Sequence, residues 1–215
     1  LALPDDLPGL GISGRKEKGA LSVKVAHGLP EHCRPQAARL YWQAFGSKLG
    51  RVLGPEPKAL AFLERVIQAD HCLYALGHDG SLIGLAGFKT PRGSFSGGGA
   101  DDLRSVYGQF GGLWRAFLLR LLQSEVDNER FLVDGICVAR EWRGHGVGTA
   151  LIDALFQEAR WRGYPAIRLE VIEANVRARA LYERMGFTVW RTETLGLLRH
   201  VFGFSRSTTM LRDLR

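Results

Sequence analysis

The chain has 215 residues, 46% of them hydrophobic and 24% charged, a balance that fits one soluble globular domain with a substantial core. Its formal charge of +7 raises nucleic-acid binding as a reading, but no basic run interleaved with aromatics supports it. Cys33, Cys72 and Cys137 are far apart without C-x-x-C and no H-x-x-x-H occurs, which argues against a disulfide framework or a metal site and for reduced thiols in a cytoplasmic protein.

Residues 1–19, rich in proline, glycine and charge, read as a flexible N-terminal arm ahead of a single domain spanning 20–215. No apolar run reaches membrane-spanning length, and the start lacks the order of a signal peptide. A first strand is expected over 20–26. Helical spacing follows at Ala38, Leu40, Tyr41, Ala44 and Phe45 within 30–48, and at Leu60, Phe62, Leu63, Val66 and Ile67 within 56–69. Residues 72–76 and 82–89 form a hairpin around the Asp79-Gly80 turn. Residues 91–102, PRGSFSGGGADD, read by composition as a flexible loop. From Leu103 to Leu122 apolar residues keep helical spacing through Gly108, Gly111 and Gly112, which predicts one interrupted helix or two short ones. This 91–123 insertion packs on the sheet, closes over a substrate as a lid, or makes a subunit contact compatible with a homodimer.

Residues 132–138 are mostly apolar and β-branched, broken by Asp134 and Gly135, and read as a mostly buried strand. A polar turn leads to Arg143-Gly144-His145-Gly146-Val147-Gly148-Thr149. A helical face follows at Ala150, Leu151, Ala154, Leu155 and Ala159. Glycines there let a ligand approach the backbone, and the first N–H groups of a helix form an anion site. In this loop Thr149 or Leu151 stands where G-x-G-x-x-G needs its third glycine, and the chain lacks Gly-Lys-Ser/Thr, so the loop is neither a dinucleotide fingerprint nor a P-loop. What is present, Arg143-x-x-Gly146-x-Gly148 after Ile136-Cys137-Val138, resembles the signature of the GNAT superfamily, the acyl-CoA-dependent N-acetyltransferases. A second pattern of that superfamily follows a strand over 167–171, namely Asn175-x-x-Ala178-x-x-Leu181-Tyr182-x-x-x-Gly186-Phe187. It places a helix over 176–185 that ends at a glycine suited to a left-handed cap. Residues 188–194 and 205–211 read as a closing hairpin. The apolar stretch 195–204 between them is open to an acceptor-pocket, dimer-contact or plain packing role.

The resemblance covers roughly residues 23–210. It implies an α/β (α+β) fold in which helices flank a mixed central β-sheet and two splayed parallel strands hold acetyl-CoA as co-substrate, without a metal. It implies pantetheine contacts from the backbone of Ile136, Cys137 and Val138. Pyrophosphate contacts fall to Arg143, Gly144, His145, Gly146, Val147, Gly148 and Thr149, and a further coenzyme contact to Asn175, itself a good N-cap. The basic net charge suits a polyanionic coenzyme. Because backbone carries the recognition, Cys137 is read as a packed side chain rather than a nucleophile, and His145 contributes its N–H. A primary amine is the expected acceptor, from a small molecule or a protein. A lysine-like amine has a pKa near ~10.4, so neutralising it at pH 7 costs about 4.6 kcal/mol. A carboxylate can take that proton. Asp134 is the first candidate, against a plain strand-end charge, with Glu170 and Glu173 as alternatives. Tyr182 matches the general acid that protonates the leaving thiolate, against a buried aromatic. A non-catalytic acyl-CoA-binding or regulatory module on the same fold is the competing reading.

Overall fold

The computed structural model describes residues 23–120 and 130–215. The expected arm over 1–19, the start of the first strand and the end of the insertion from Leu121 lie outside the described residues.

Strands β1 (Val25–His27), β2 (Cys72–Leu76), β3 (Leu82–Thr90), β4 (Gly93–Ser94), β5 (Arg130–Val138), β6 (Ala166–Ile172), β7 (Thr188–Thr194) and β8 (Arg206–Asp213) form one mixed sheet. Its order is β1-β2-β3-β5-β6-β8-β7, with β4 beside β3. Among the described residues only β5 and β6 run parallel; the other pairs are antiparallel. The crossover between them is helix α4 (Val147–Trp161), as parallel neighbours require. β3 is buried along nearly its whole length because both of its faces are covered, whereas β7 is an exposed edge.

One core lies under α4, where Leu151, Leu155 and Ala159 meet Phe88, Phe131 and Ile167. The other lies under helices α1 (Arg34–Leu53) and α2 (Glu56–Val66), where Ala37, Tyr41, Phe62 and Leu63 meet Leu85 and Cys137. α1 runs past the expected end at Lys48 to the buried Val52 and Leu53, and Trp42 packs over Gly46, where an added Cβ would lie 3.1 Å from its ring. Two glycines that cost helix stability in isolation thus stay inside it.

Helix α3 (Ala100–Arg120) is broken at Gly108, whose φ of 76 and ψ of 172 are not helical. Gly111 and Gly112 continue the second half. Gly112 is buried where the halves meet, and a Cβ there would lie 2.5 Å from the Arg104 nitrogen. Its outward side leaves Phe110, Leu113, Trp114 and Phe117 exposed.

The expected loop over residues 91–102 is anchored at its centre, where Gly93 and Ser94 pair with β3 and Ser94 and Phe95 are buried. Phe95 is fully buried, its N–H donates to the Phe88 carbonyl, and its carbonyl accepts from Gln68 N–H. Glycine is needed opposite it: a Cβ on Gly87 would stand 2.6 Å from the Phe95 ring. Over 195–204, a 3₁₀ turn (Gly196–Leu198) and helix α6 (Arg199–Phe202) set Phe202 and Phe204 against Val52. No described helix is long and apolar enough to cross a membrane.

Candidate active site

The parallel pairing of β5 and β6 lasts three rungs, Arg130↔Ala166, Phe131↔Ile167 and Leu132↔Arg168. Beyond them β5 stays with β3 as far as Val138↔Gly84, and β6 stays with β8 as far as Ile172↔Ser207. The two strands therefore diverge towards their C-terminal ends and leave a cleft with exposed backbone on its β5 edge. Ala139 N–H donates to the Ile83 carbonyl at 2.9 Å. In an antiparallel ladder this makes Cys137 the next residue to exchange bonds with β3, while Ile136 and Val138 point theirs the other way, into the cleft. Of Ile136, Cys137 and Val138, the register turns the backbone of the first and third away from β3. Cys137 turns to β3, is buried, and burial pushes its thiol well above the usual range.

Asp134 is placed by a register shift. Gly87 faces Gly135 and Phe88 faces Val133, so Asp134 is the extra residue of a β-bulge, a device that re-aims a side chain. Its Oδ2 accepts from Ser94 Oγ at 3.0 Å, Ser96 N–H at 3.0 Å and Ser96 Oγ at 2.9 Å. The buried Tyr41 hydroxyl donates to Ser96 Oγ at 3.4 Å; burial, then the Asp134 charge, hold its pKa well up. Next along the strand, Gly135 lets α1 close in, since a Cβ there would lie 2.8 Å from the Phe45 ring.

Past β5, Arg143 Nε donates to the Val138 carbonyl at 3.2 Å, and His145 Nδ1 lies 3.1 Å from the Arg143 carbonyl. Gly144 and Gly146 both have φ of +83, so the loop turns where a side chain would strain it. Gly146 caps α4, whose first internal bond runs from Ala150 N–H to the Gly146 carbonyl. The N–H groups of Val147, Gly148 and Thr149 precede that bond and have no partner within the helix. Gly148 sits in the first turn of α4 against Leu181.

Across the cleft, helix α5 (Val176–Arg184) starts at Asn175, whose Oδ1 accepts from Ala178 N–H at 3.3 Å, and stops before Gly186 at φ +81. Tyr182 is buried on this helix, its ring 5.9 Å from that of Phe187 in an edge contact. Burial pushes its hydroxyl up to about 12, so it carries its proton at neutral pH. A cavity of about 970 Å³ brings together Asp134, Ile136, Glu170, Asn175 and Tyr182. Glu173 is exposed beyond β6, and residues 143–149 lie off the cavity wall at the open end of β5. Residues that the sequence did not single out also line it: Tyr41, Ser94 and Ser96 around Asp134, and Lys48 on α1. Among the described residues no three His, Cys, Asp or Glu side chains cluster to hold a metal.

A model of the acetyltransferase (GNAT) family matches residues 35–187, most of the chain and all of this site. The chain belongs to the GNAT family. The probable N-acetyltransferase camello of Xenopus tropicalis is 38% identical over 79 residues, 37% of this chain. The match spans 36% of that curated relative's length. A structure described as histone acetyltransferase HPA2 and related acetyltransferase, from Corynebacterium glutamicum, superposes with a TM-score of 0.61 at 20% identity, covering 90% of this chain and 97% of that one. An N-acetyltransferase from Staphylococcus aureus Mu50 gives 0.60 at 13% identity, covering 87% and 99%. At these identities the structures establish the GNAT fold, the mixed sheet with flanking helices described above.

Proposed function

We propose that this GNAT protein transfers an acetyl group from acetyl-CoA to a primary amine by direct attack. The observation that carries the reading is the early divergence of β5 and β6, with cleft-facing backbone on one side and the Tyr182 hydroxyl on the other. Ile136 and Val138 would hold the pantetheine arm by backbone bonds. The free N–H groups opening α4, with Arg143, would hold the pyrophosphate, whose charge suits a helix N-terminus. Asn175 borders the same cleft. The coenzyme supplies the activated acetyl thioester; the chain supplies placement and proton transfers.

Asp134 takes the proton of the incoming amine, directly or through water. Its Oδ2 is engaged by three donors, so Oδ1 is the atom for this role. Glu170 lines the same cavity and is the alternative base. Tyr182 gives its proton to the departing thiolate, so an amide and a free thiol leave the site. Cys137, buried and turned away, has no part in this.

The experiment that tests the reading is an amine screen with acetyl-CoA, following release of the free thiol. Acceptor-dependent release is expected. A protein that binds acetyl-CoA yet releases nothing across a broad panel would instead be an acyl-CoA-binding module.

The coenzyme site has its own test. A Cβ on Gly148 would stand 3.1 Å from Leu181 Cδ2, the movable end of a flexible side chain. Gly148→Ala should therefore keep acetyl-CoA affinity within a few-fold. Gly148→Asp adds a charge beside the pyrophosphate and should lower it roughly a hundredfold or more. Calorimetry on the two folded variants checks this, and equal affinities would move the pyrophosphate elsewhere.

A further inference from the structure

Asp134 is held in a way that a plain charge on a strand does not require. Its backbone stands at the bulge between β3 and β5, outside the regular ladder, so no neighbouring rung fixes the direction of its carboxylate. Three donors do so instead, and all of them end on one oxygen. Ser94 Oγ, Ser96 N–H and Ser96 Oγ reach Oδ2 at 3.0, 3.0 and 2.9 Å. A carboxylate oxygen offers about two lone-pair sites, so Oδ2 is saturated and the plane of the carboxyl group is fixed.

The segment that carries these donors is pegged on both sides of them. Gly93 and Ser94 pair with Thr90 and Lys89 at the end of β3. Between the two serines Phe95 turns into the core, its N–H donating to the Phe88 carbonyl at 3.1 Å and its carbonyl accepting from Gln68 N–H at 3.0 Å. Residues two apart in extended chain share a face, so the peg at Phe95 sends Ser94 and Ser96 to the same carboxylate. After the pair, Gly97 N–H closes a turn onto the Ser94 carbonyl at 3.2 Å, and Gly98 lies close against Val66 and Phe62 of α2. From α1 the buried Tyr41 hydroxyl donates to Ser96 Oγ at 3.4 Å, which leaves the Ser96 proton for Asp134.

A general base acts only within hydrogen-bond reach of the proton it takes, and a displacement near 1 Å can cost on the order of a hundredfold in rate. Among the described residues the two serines make every hydrogen bond to the Asp134 side chain. Tyr41, Lys48 and Cys137 are near enough for its charge to act on them, without a direct bond to it. The direction of the carboxylate is thus set by Ser94 and Ser96. With Oδ2 occupied, Oδ1 is the oxygen left for an amine in the cavity.

We infer that Ser94 and Ser96 are positioning residues for acetyl transfer, holding the Asp134 carboxylate by Oδ2 so that Oδ1 is aimed at the acceptor amine. This rests on the acetyl-transfer reading and on Asp134 as its base. The packed segment over 93–98 then serves the base, and its hydroxyls act on the rate through Asp134 alone.

The test is a cycle of variants read by single-turnover transfer from acetyl-CoA to phenylethylamine and to spermidine, an apolar and a polycationic primary amine. Ser96→Ala should slow the chemical step about tenfold, as expected for a hydrogen bond to a charged group, with acetyl-CoA affinity unchanged. Ser96→Thr keeps the hydroxyl and should recover most of that rate. Ser94→Ala removes a different donor, should slow the step in the same way, and guards against a Ser96 variant that fails to fold. The deciding comparison is made in Asp134→Asn. There the same serine substitutions should change the rate by less than about twofold, because groups that act through one another are not additive. Equal losses in both backgrounds, or no loss in either, overturn the inference, as does an Asp134→Asn variant as fast as wild type. Absence of turnover with every acceptor defeats the transfer reading alone. Carboxyl NMR of Asp134 then decides whether the serines hold it. Donors to a carboxylate favour its ionised form, so its titration should come at higher pH in Ser96→Ala and in Ser94→Ala than in wild type. Coincident titrations overturn the inference.

Discussion

Tyr182→Phe should slow the chemical step by roughly 10²–10⁴-fold, the range for loss of one general acid, or about 2.7–5.4 kcal/mol of barrier. The substitution keeps the ring that packs edge-on to Phe187 and removes only the hydroxyl. Fold and coenzyme affinity should therefore stay near wild type. Burial holds this hydroxyl up to about 12, so the proton is present throughout the neutral range. The sign follows from that shift: the neutral form is favoured in the folded protein. Acid catalysis by Tyr182 persists as pH rises and fails only as pH approaches 12, so any loss of rate below pH 8 reports the base and the amine instead. Single-turnover acetyl transfer at matched coenzyme saturation is the measurement, because it excludes product release. A residue that contributed only uniform binding would raise KM and leave kcat unchanged. A chemical step within about twofold of wild type would leave Tyr182 as a packed aromatic.

The strand, loop and helix around residues 132–160 were legible because each signal there is local. A β-branched run, a glycine-rich turn and a 3.6-residue apolar period need no distant partner to be read. The same holds for α5, where an asparagine N-cap and a left-handed glycine bracket the helix. What escaped depends on contacts between distant segments. Residues 91–102 carry the composition of a loose loop, yet their glycines admit close neighbours. A Cβ on Gly98 would lie 2.5 Å from Val66 Cγ1, and only the folded chain supplies Val66. Ser94 and Ser96 reach Asp134 for the same reason. The bulge that aims Asp134 is a property of register between β3 and β5, to which the sequence of β5 alone is blind. Among the glycines of α3, Gly108 breaks the helix and Gly112 lets its halves cross; in sequence they look alike.

Phe131→Ala should cost about 3–5 kcal/mol, the range for removing a fully buried phenylalanine, and lower Tm by roughly 10 °C. Phe131 is fully buried, its ring 5.0 Å from that of Phe88 and 5.5 Å from that of Tyr164. It stands on the middle rung of the short parallel pairing, opposite Ile167. The hinge of the cleft is thus also a packed part of the core under α4. Three rungs hold β5 to β6, so the join depends on side-chain packing more than on its few backbone bonds. A void there should loosen the separation of Asp134 and Tyr182 as well as the fold. Phe131→Leu, which refills most of the volume, should recover the larger part of the stability. Urea denaturation of the three proteins gives the energies, and an unchanged slope assigns the loss to the folded state rather than to altered compactness. If Phe131→Ala lost less than about 1 kcal/mol, the join would be held by the ladder itself, and the packing account of the cleft would fail.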